Sequence, residues 1–219
     1  MTRIKCCGMT RVEDAVLAAL LGVDAIGLVF AARSRRQVTP AQARAILSAL
    51  PPFVTTVALF MDADARLVDD VIQQVQPDLL QFHGGESDTW CAQFGRPFVK
   101  AVPMAAGASA LAHLHDFPTA VALLLDGHGS GETGGSGKAF DWSLLPRQHT
   151  QPLVLAGGLH AGNVGDAVRR LHPWAVDVAS GVEATPGIKD PARLVAFIRA
   201  VREADAEIER LETWKTREG

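Results

Sequence analysis

The sequence is poor in cysteine, with three in 219 residues, two of them adjacent at Cys6 and Cys7. An odd set with neighbouring members makes no disulfide framework, so a reducing compartment, the cytoplasm, is expected. A dense basic cluster is also missing: Lys+Arg total 21 against Asp+Glu 24, for a net charge of −3. Nothing there neutralises a phosphate backbone, which excludes nucleic acid as an expected partner. No unbroken apolar run reaches membrane length, because the longest candidate, 15–32, carries Asp24 in its middle and Gly22 and Gly27 as interruptions. Glu13 and Asp14 stand before that run, which is the wrong flank for a signal peptide. What is present is a 48% hydrophobic composition with 20 glycines and 12 prolines, enough apolar surface for one sizeable core and too much for disorder.

The apolar residues follow two alternating periods. Short continuous or β-branched runs at 3–7, 25–30, 53–60, 79–82, 98–102, 121–126, 153–156 and 175–179 read as strands. Between them the spacing changes to i, i+3, i+4, i+7, as in Val12, Val16, Ala19 and Val23, or Leu67, Val68, Val71, Ile72 and Val75. Thr39-Pro40 and Asp190-Pro191 each place a capping oxygen before a proline at the first helical position. The fourth and fifth helices are marked only by Trp90 and Phe94, and by Leu111 and Leu114. Eight strand–helix units without a linker predict a single (β/α)₈ TIM barrel over 1–201, with 202–219 as a charged helix end or tail. In that fold the chemistry belongs at the C-terminal ends of the strands.

The first strand ends Lys5-Cys6-Cys7-Gly8, and alternation puts Lys5 and Cys7 on one face with Cys6 on the other. Asp126 closes the apolar sixth strand ahead of the glycine-rich stretch 127–137, an environment that disfavours an ionised carboxylate and suits a general acid. A turn-capping aspartate is the ordinary alternative. Arg33, Arg35 and Arg36 make the second rim loop cationic, and an arginine fork pairs with carboxylate or phosphate. Gly157-Gly158 after the seventh strand and Ser180-Gly181 after the eighth are placed to let backbone amides approach a phosphate. His83 closes the fourth strand with no second ligand at metal spacing, so no metal site is expected.

These stretches together resemble the phosphoribosylanthranilate isomerase family. The likeness runs over 5–190 through Lys-x-Cys-Gly, Ser34-x-Arg36, Gln81-x-His83-Gly84, Gly134-Gly135-Ser136-Gly137 with Phe140-Asp141-Trp142, Ala156-Gly157-Gly158-Leu159 with Asn163-Val164, and Ser180-Gly181-Val182-Glu183 with Pro186-Gly187-x-Lys189-Asp190. The resemblance implies a cofactor-free enzyme of tryptophan biosynthesis. It would convert N-(5′-phosphoribosyl)anthranilate to 1-(2-carboxyphenylamino)-1-deoxyribulose 5-phosphate by an Amadori rearrangement. By motif position Cys7 would be the general base, Asp126 the general acid and Arg36 the contact to the anthranilate carboxylate. Gly157, Gly158, Ser180 and Gly181 would cradle the phosphate. On chemical grounds apart from the resemblance, Lys5 is expected beside the substrate, its charge steadying a Cys7 thiolate, and His83 is expected to be structural or substrate-adjacent.

The sequence departs from the family's usual pattern at Cys6, Arg35, Ser136 and Ala179, where isoleucine, proline, threonine and serine are usual. Loss of the proline loosens the loop that aims Arg36 and leaves Arg35 as a rival. A sister isomerase of histidine synthesis would show an acid at position 7 and a half-barrel repeat, and the third strand instead ends Leu59-Phe60-Met61-Asp62. A catalytically idle, phosphate-binding barrel would have no need of Cys7 or Asp126. The expected partner is therefore a small phosphorylated substrate. The chain is expected to be a monomer, with a homodimer as the alternative.

Overall fold

The computed structural model describes residues 1–127 and 150–218. The motif residues at 134–137 and 140–142 lie outside the described residues, as does most of the glycine-rich stretch after the sixth strand. Eight parallel strands close into a barrel in chain order. They are β1 Arg3–Cys7, β2 Ala25–Val29, β3 Thr55–Phe60, β4 Leu79–Phe82, β5 Phe98–Pro103, β6 Ala122–Asp126, β7 Leu153–Leu155 and β8 Ala175–Val178. The described helices around it are α1 Val12–Leu20, α2 Pro40–Ala49, α3 Ala65–Val75, α4 Asp88–Ala92, α5 Val164–Leu171 and α6 Pro191–Glu218. A short antiparallel pair, β9 Glu183–Thr185 and β10 Ile188–Lys189, follows β8 on the rim.

Both proline-marked starts are capped as the sequence indicates. Thr39 and Gln42 form a reciprocal capping box, and Asp190 Oδ1 accepts from the amides of Ala192 and Arg193. The stretch marked by Leu111 and Leu114 is a 3₁₀ helix, Gly107–His115, rather than an α-helix. Two leucines three apart are compatible with either helical period, and the buried pair Ala110 and Leu114 does not exclude the α one. The expected division after residue 201 falls inside α6, which runs on without a break. Val201 and Ala204 are fully buried, and Asp205 accepts from the amide and hydroxyl of Thr2, tying α6 to the start of β1.

Strand alternation sorts the barrel into two cores. Outward residues such as Ile4, Cys6, Leu80, Phe82, Leu123, Leu125, Val176 and Val178 pack under the helices, where each buried large side chain contributes roughly 1.5–3 kcal/mol. Phe30, Phe60, Phe82 and Phe98 form a chain of ring contacts there. The inward residues include Val99, Ala101, Ala122, Leu124, Val154 and Ala175, which fill the lumen. The same parity turns Lys5 and Cys7 of β1, Gln81 of β4 and His83 just after it, Asp126 of β6 and Asp177 of β8 toward the axis. The polar groups of the barrel mouth therefore arise from strands that are otherwise apolar.

Candidate active site

A pocket opens at the C-terminal ends of the strands, about 720 Å³ including its mouth. Cys7, Ser34, Arg36, Gln81, His83 and Asp126 line it, with Asp177 beside the floor. Gly157, Gly158 and Ser180, from the loops after β7 and β8, line it too. These residues come from six different strands or their following loops, a convergence that only the closed barrel produces.

Cys7 is brought to the rim by pairing with Gly27 of β2. A Cβ on Gly27 would stand 2.7 Å from the Cys7 Sγ, so the thiol occupies the space that the glycine leaves. Lys5 lies beneath, outside the pocket lining, its Nζ 2.8 Å from Asp177 Oδ2 in a buried pair. Burial pushes the Cys7 thiol above its ordinary range, and the charge and hydrogen bond of Lys5 pull it back down in part. Burial works against the Lys5 ammonium too, but Asp177 and Cys7 outweigh it and Lys5 is raised. Cys6, facing the helices, is pushed up to about 12 by burial.

Two hydrogen bonds within the loop hold the arginine segment after β2. Ser34 Oγ accepts from the Arg36 amide at 3.1 Å, and the Ser34 amide donates to the Ala31 carbonyl at 2.9 Å. Arg36 then crosses Gly8, where a Cβ would lie 2.4 Å from its Cδ and where φ is +74°. Arg33 and Arg35 are exposed and Arg36 alone of the three lines the pocket. Its Nε and Nη2 donate to Glu183 Oε1 and Oε2 at 2.9 and 2.8 Å. Glu183 also accepts from Lys189 Nζ at 2.9 Å and from the Gly187 amide at 3.2 Å. Burial alone would raise Glu183, but the hydrogen bond from Arg36 and the charge of Lys189 hold it below the usual carboxylate range. Lys189 Nζ goes on to the Cys7 carbonyl at 2.6 Å, so one ion-pair chain joins the arginine loop to the cysteine backbone.

Gly157 and Gly158 have φ of +81° and +64°, the left-handed region that glycine enters without a Cβ penalty. Asn163 Nδ2 donates to the Gly158 carbonyl at 2.9 Å and so anchors the loop to the helix that follows. Ser180 and Gly181 open a one-turn 3₁₀ helix, Ser180–Val182. A Cβ on Gly181 would lie 1.9 Å from the Leu159 carbonyl oxygen, so this glycine packs the eighth loop against the seventh. Among the described residues no cluster of His, Cys, Asp or Glu could hold a metal ion, and no helix is long and apolar enough to cross a membrane.

Sequence reasoning assigned no role to Asp177, Glu183, Lys189, Gln81 or Gly27. Asp177 had a signal: an acid between Val176 and Val178 in the strand that closes against β1 must face the lumen near Lys5. Glu183 and Lys189 stood in quoted motifs, but their partners lie 147 and 182 residues away in sequence.

Comparison with known proteins matches residues 4–200 to the N-(5'phosphoribosyl)anthranilate (PRA) isomerase family. An N-(5'-phosphoribosyl)anthranilate isomerase of Nitrosospira multiformis is 52% identical over 199 residues, covering 91% of this chain and 96% of that protein. The crystal structure of the Thermotoga maritima phosphoribosyl anthranilate isomerase is 39% identical with a TM-score of 0.86, over 93% of this chain and all of that one. Another, crystallised with reduced 1-(o-carboxyphenylamino)-1-deoxyribulose 5-phosphate, is 35% identical with a TM-score of 0.83, over 93% of this chain and 100% of that one. The chain thus belongs to the N-(5'-phosphoribosyl)anthranilate isomerase family.

Proposed function

We propose that this isomerase converts its phosphorylated aminoaldose, N-(5′-phosphoribosyl)anthranilate, to the aminoketose with Asp126 as general acid and Cys7 as general base. The observation that carries the assignment is that both side chains line one pocket, from strands six and one, together with an arginine and a pair of glycines. Asp126 gives its proton to the furanose ring oxygen as the C1′–O bond breaks, and the nitrogen lone pair closes a Schiff base. The Cys7 thiolate then removes the C2′ proton, and that electron pair neutralises the iminium to give an enolamine. Protonation at C1′ and loss of the 2′-hydroxyl proton deliver the ketone.

The other residues take substrate groups by their chemistry. Arg36 keeps an edge of its guanidinium beyond the Glu183 pair for the anthranilate carboxylate. Gly157, Gly158 and Ser180 are the phosphate cradle, with Gly181 holding that cradle's two loops together. Lys5 serves from below the pocket by offsetting the burial of Cys7, and His83 stands next to Asp126. The same proposal has the chain working as a cytoplasmic monomer. Turnover of N-(5′-phosphoribosyl)anthranilate followed by loss of its anthranilate-type fluorescence, with Asp126→Asn as the inactive control, tests the chemistry. Size-exclusion chromatography at the assay concentration tests the monomer.

A further inference from the structure

Asp177 is the acid of β8, set between Val176 and Val178 and lining the pocket at its floor. The pairing of β8 with β1 puts it opposite Lys5, two residues before Cys7 on the same face of that strand. Its Oδ2 accepts from Lys5 Nζ at 2.8 Å. Its Oδ1 is buried and has no hydrogen-bond partner among the described residues. A carboxylate oxygen buried without a donor is costly, and one kept that way in the lining of a pocket is accounted for when the ligand brings the donor. Gln81 Oε1 is a second such acceptor, but an amide oxygen accepts a hydrogen bond without taking the proton.

Cys7 decides which donor that is. Its sulfur has to reach the hydrogen on C2′, the same carbon carries the 2′-hydroxyl, and the charge of Asp177 is close enough to bear on the Cys7 thiol. We propose that Asp177 is the base that takes the 2′-hydroxyl proton, on Oδ1, while Lys5 holds Oδ2. The proposal rests on the reading of Cys7 as the base at C2′ and adds the last proton transfer to it. In the enolamine, the electron pair of the C1′=C2′ bond takes a proton from the Cys7 thiol at C1′. The O–H bond breaks as its pair closes the C2′ carbonyl, and the proton passes to Asp177. Protonation at C1′ alone would leave a protonated ketone, an acid strong enough for an ordinary carboxylate to deprotonate. Lys5 acts on both Asp177 and Cys7, so as Asp177 is neutralised its ammonium is left to the thiolate that Cys7 regains. Asp177 returns its proton to water when the product leaves.

The test follows the hydrogen at C2′, with substrate deuterated there. Asp177→Asn keeps an acceptor oxygen and removes the base, and it is expected to lower kcat by about 10²-fold or more while KM changes by less than about threefold. The enolamine then reverts, so substrate recovered part-way through the reaction is expected to have exchanged its deuterium with solvent. A kcat near that of the wild type overturns the proposal. So does a lowered kcat without that exchange, which is the result of a change acting only through Lys5 on Cys7. A second measurement needs no variant, should the unpaired Lys5 unfold Asp177→Asn. The carbon-13 signal of the Asp177 carboxyl in the wild type is expected to shift when the reduced aminoketose, with a hydroxyl on C2′, is bound, and to stay in place with anthranilate; no shift with the reduced aminoketose overturns the proposal. Cys7→Ser is expected to stop turnover and exchange together. Exchange that persists in it overturns the base assignment at C2′ instead, so the two readings fail separately.

Discussion

Arg36 meets Glu183 edge to edge, Nε to Oε1 at 2.9 Å and Nη2 to Oε2 at 2.8 Å, with both side chains largely shielded from water. The pair shows how a loop segment with no proline of its own aims an arginine. A guanidinium on an exposed loop would sample many rotamers, whereas a two-point contact to a buried carboxylate fixes its plane. Glu183 is fixed in turn by Lys189, whose ammonium also holds the Cys7 carbonyl. The group proposed to bind the carboxylate and the group proposed to move the proton thus share one electrostatic support.

That support predicts an order among loop variants. Arg36→Ala is expected to raise KM more than Arg35→Ala, since the lost charged hydrogen bonds are worth about 1.5–3 kcal/mol and Arg35 is exposed outside the pocket. Glu183→Gln keeps the shape but removes the charge, and it is expected to raise KM by an intermediate amount and to lower Tm because Lys189 is left buried beside a neutral amide. Steady-state kinetics and thermal melts on the three variants check this. A larger KM effect from Arg35→Ala would redraw the loop.

The barrel was legible because its signals are local. The eight apolar runs, the change of period between them and the caps at Thr39 and Asp190 all lie within a few residues. The face assignments of Lys5, Cys6 and Cys7 followed from alternation alone, and the observed cores agree with it. What the sequence hid was pairing over long separations. Nothing near Arg36 names Glu183, and nothing near Cys7 names Gly27 as the residue whose missing Cβ makes room for the thiol. The short 3₁₀ helix at Gly107–His115 was hidden for another reason: two leucines three apart satisfy either helical period.

Titration of Cys7 sets a direction for the pH profile. Burial raises its thiol, so at neutral pH the base works from a small thiolate fraction, and kcat/KM is expected to go on rising with pH beyond about 8.5, the ordinary thiol value. The same shift bears on stability. A folded-state value above the unfolded one means that the folded protein holds protons more tightly, so the contribution is complete below about 8.5 and is lost as pH rises toward the folded value. Cys6, raised to about 12, acts in the same sense. Denaturant melts are expected to show falling stability above that pH in the wild type and a flatter fall in Cys6→Ala; a kcat/KM plateau reached by pH 7 would contradict the burial argument.

Gly181 separates packing from binding in the phosphate loops. Its added Cβ would meet the Leu159 backbone oxygen at 1.9 Å, and a carbonyl cannot swing aside as a side-chain tip does. Gly181→Ala is therefore expected to part the seventh and eighth loops, weakening competition by inorganic phosphate and lowering Tm together. Ser180→Ala removes only a hydroxyl at the pocket and is expected to change stability by no more than about 0.5 kcal/mol while changing phosphate inhibition. Phosphate inhibition that survives both changes would place the anion elsewhere.

The adjacent cysteines offer the strictest control on the proposed chemistry. They share a strand, a residue type and near-complete burial, and differ in the face they present: Cys7 lines the pocket while Cys6 packs with Ile4 and Val178 beneath the helices. Cys7→Ser exchanges a thiol for a hydroxyl that is a far weaker acid, so kcat is expected to fall by about 10²–10⁴-fold with a smaller change in KM. Cys6→Ser places a hydroxyl among apolar side chains, at a cost of about 1–3 kcal/mol in stability, and is expected to leave kcat nearly unchanged. Asp126→Asn is expected to cost more kcat than Cys7→Ser where ring opening limits turnover, and less where proton abstraction does. Loss of kcat in Cys6→Ser with near-full activity in Cys7→Ser would invert the faces of β1, and the base assignment would fall with them.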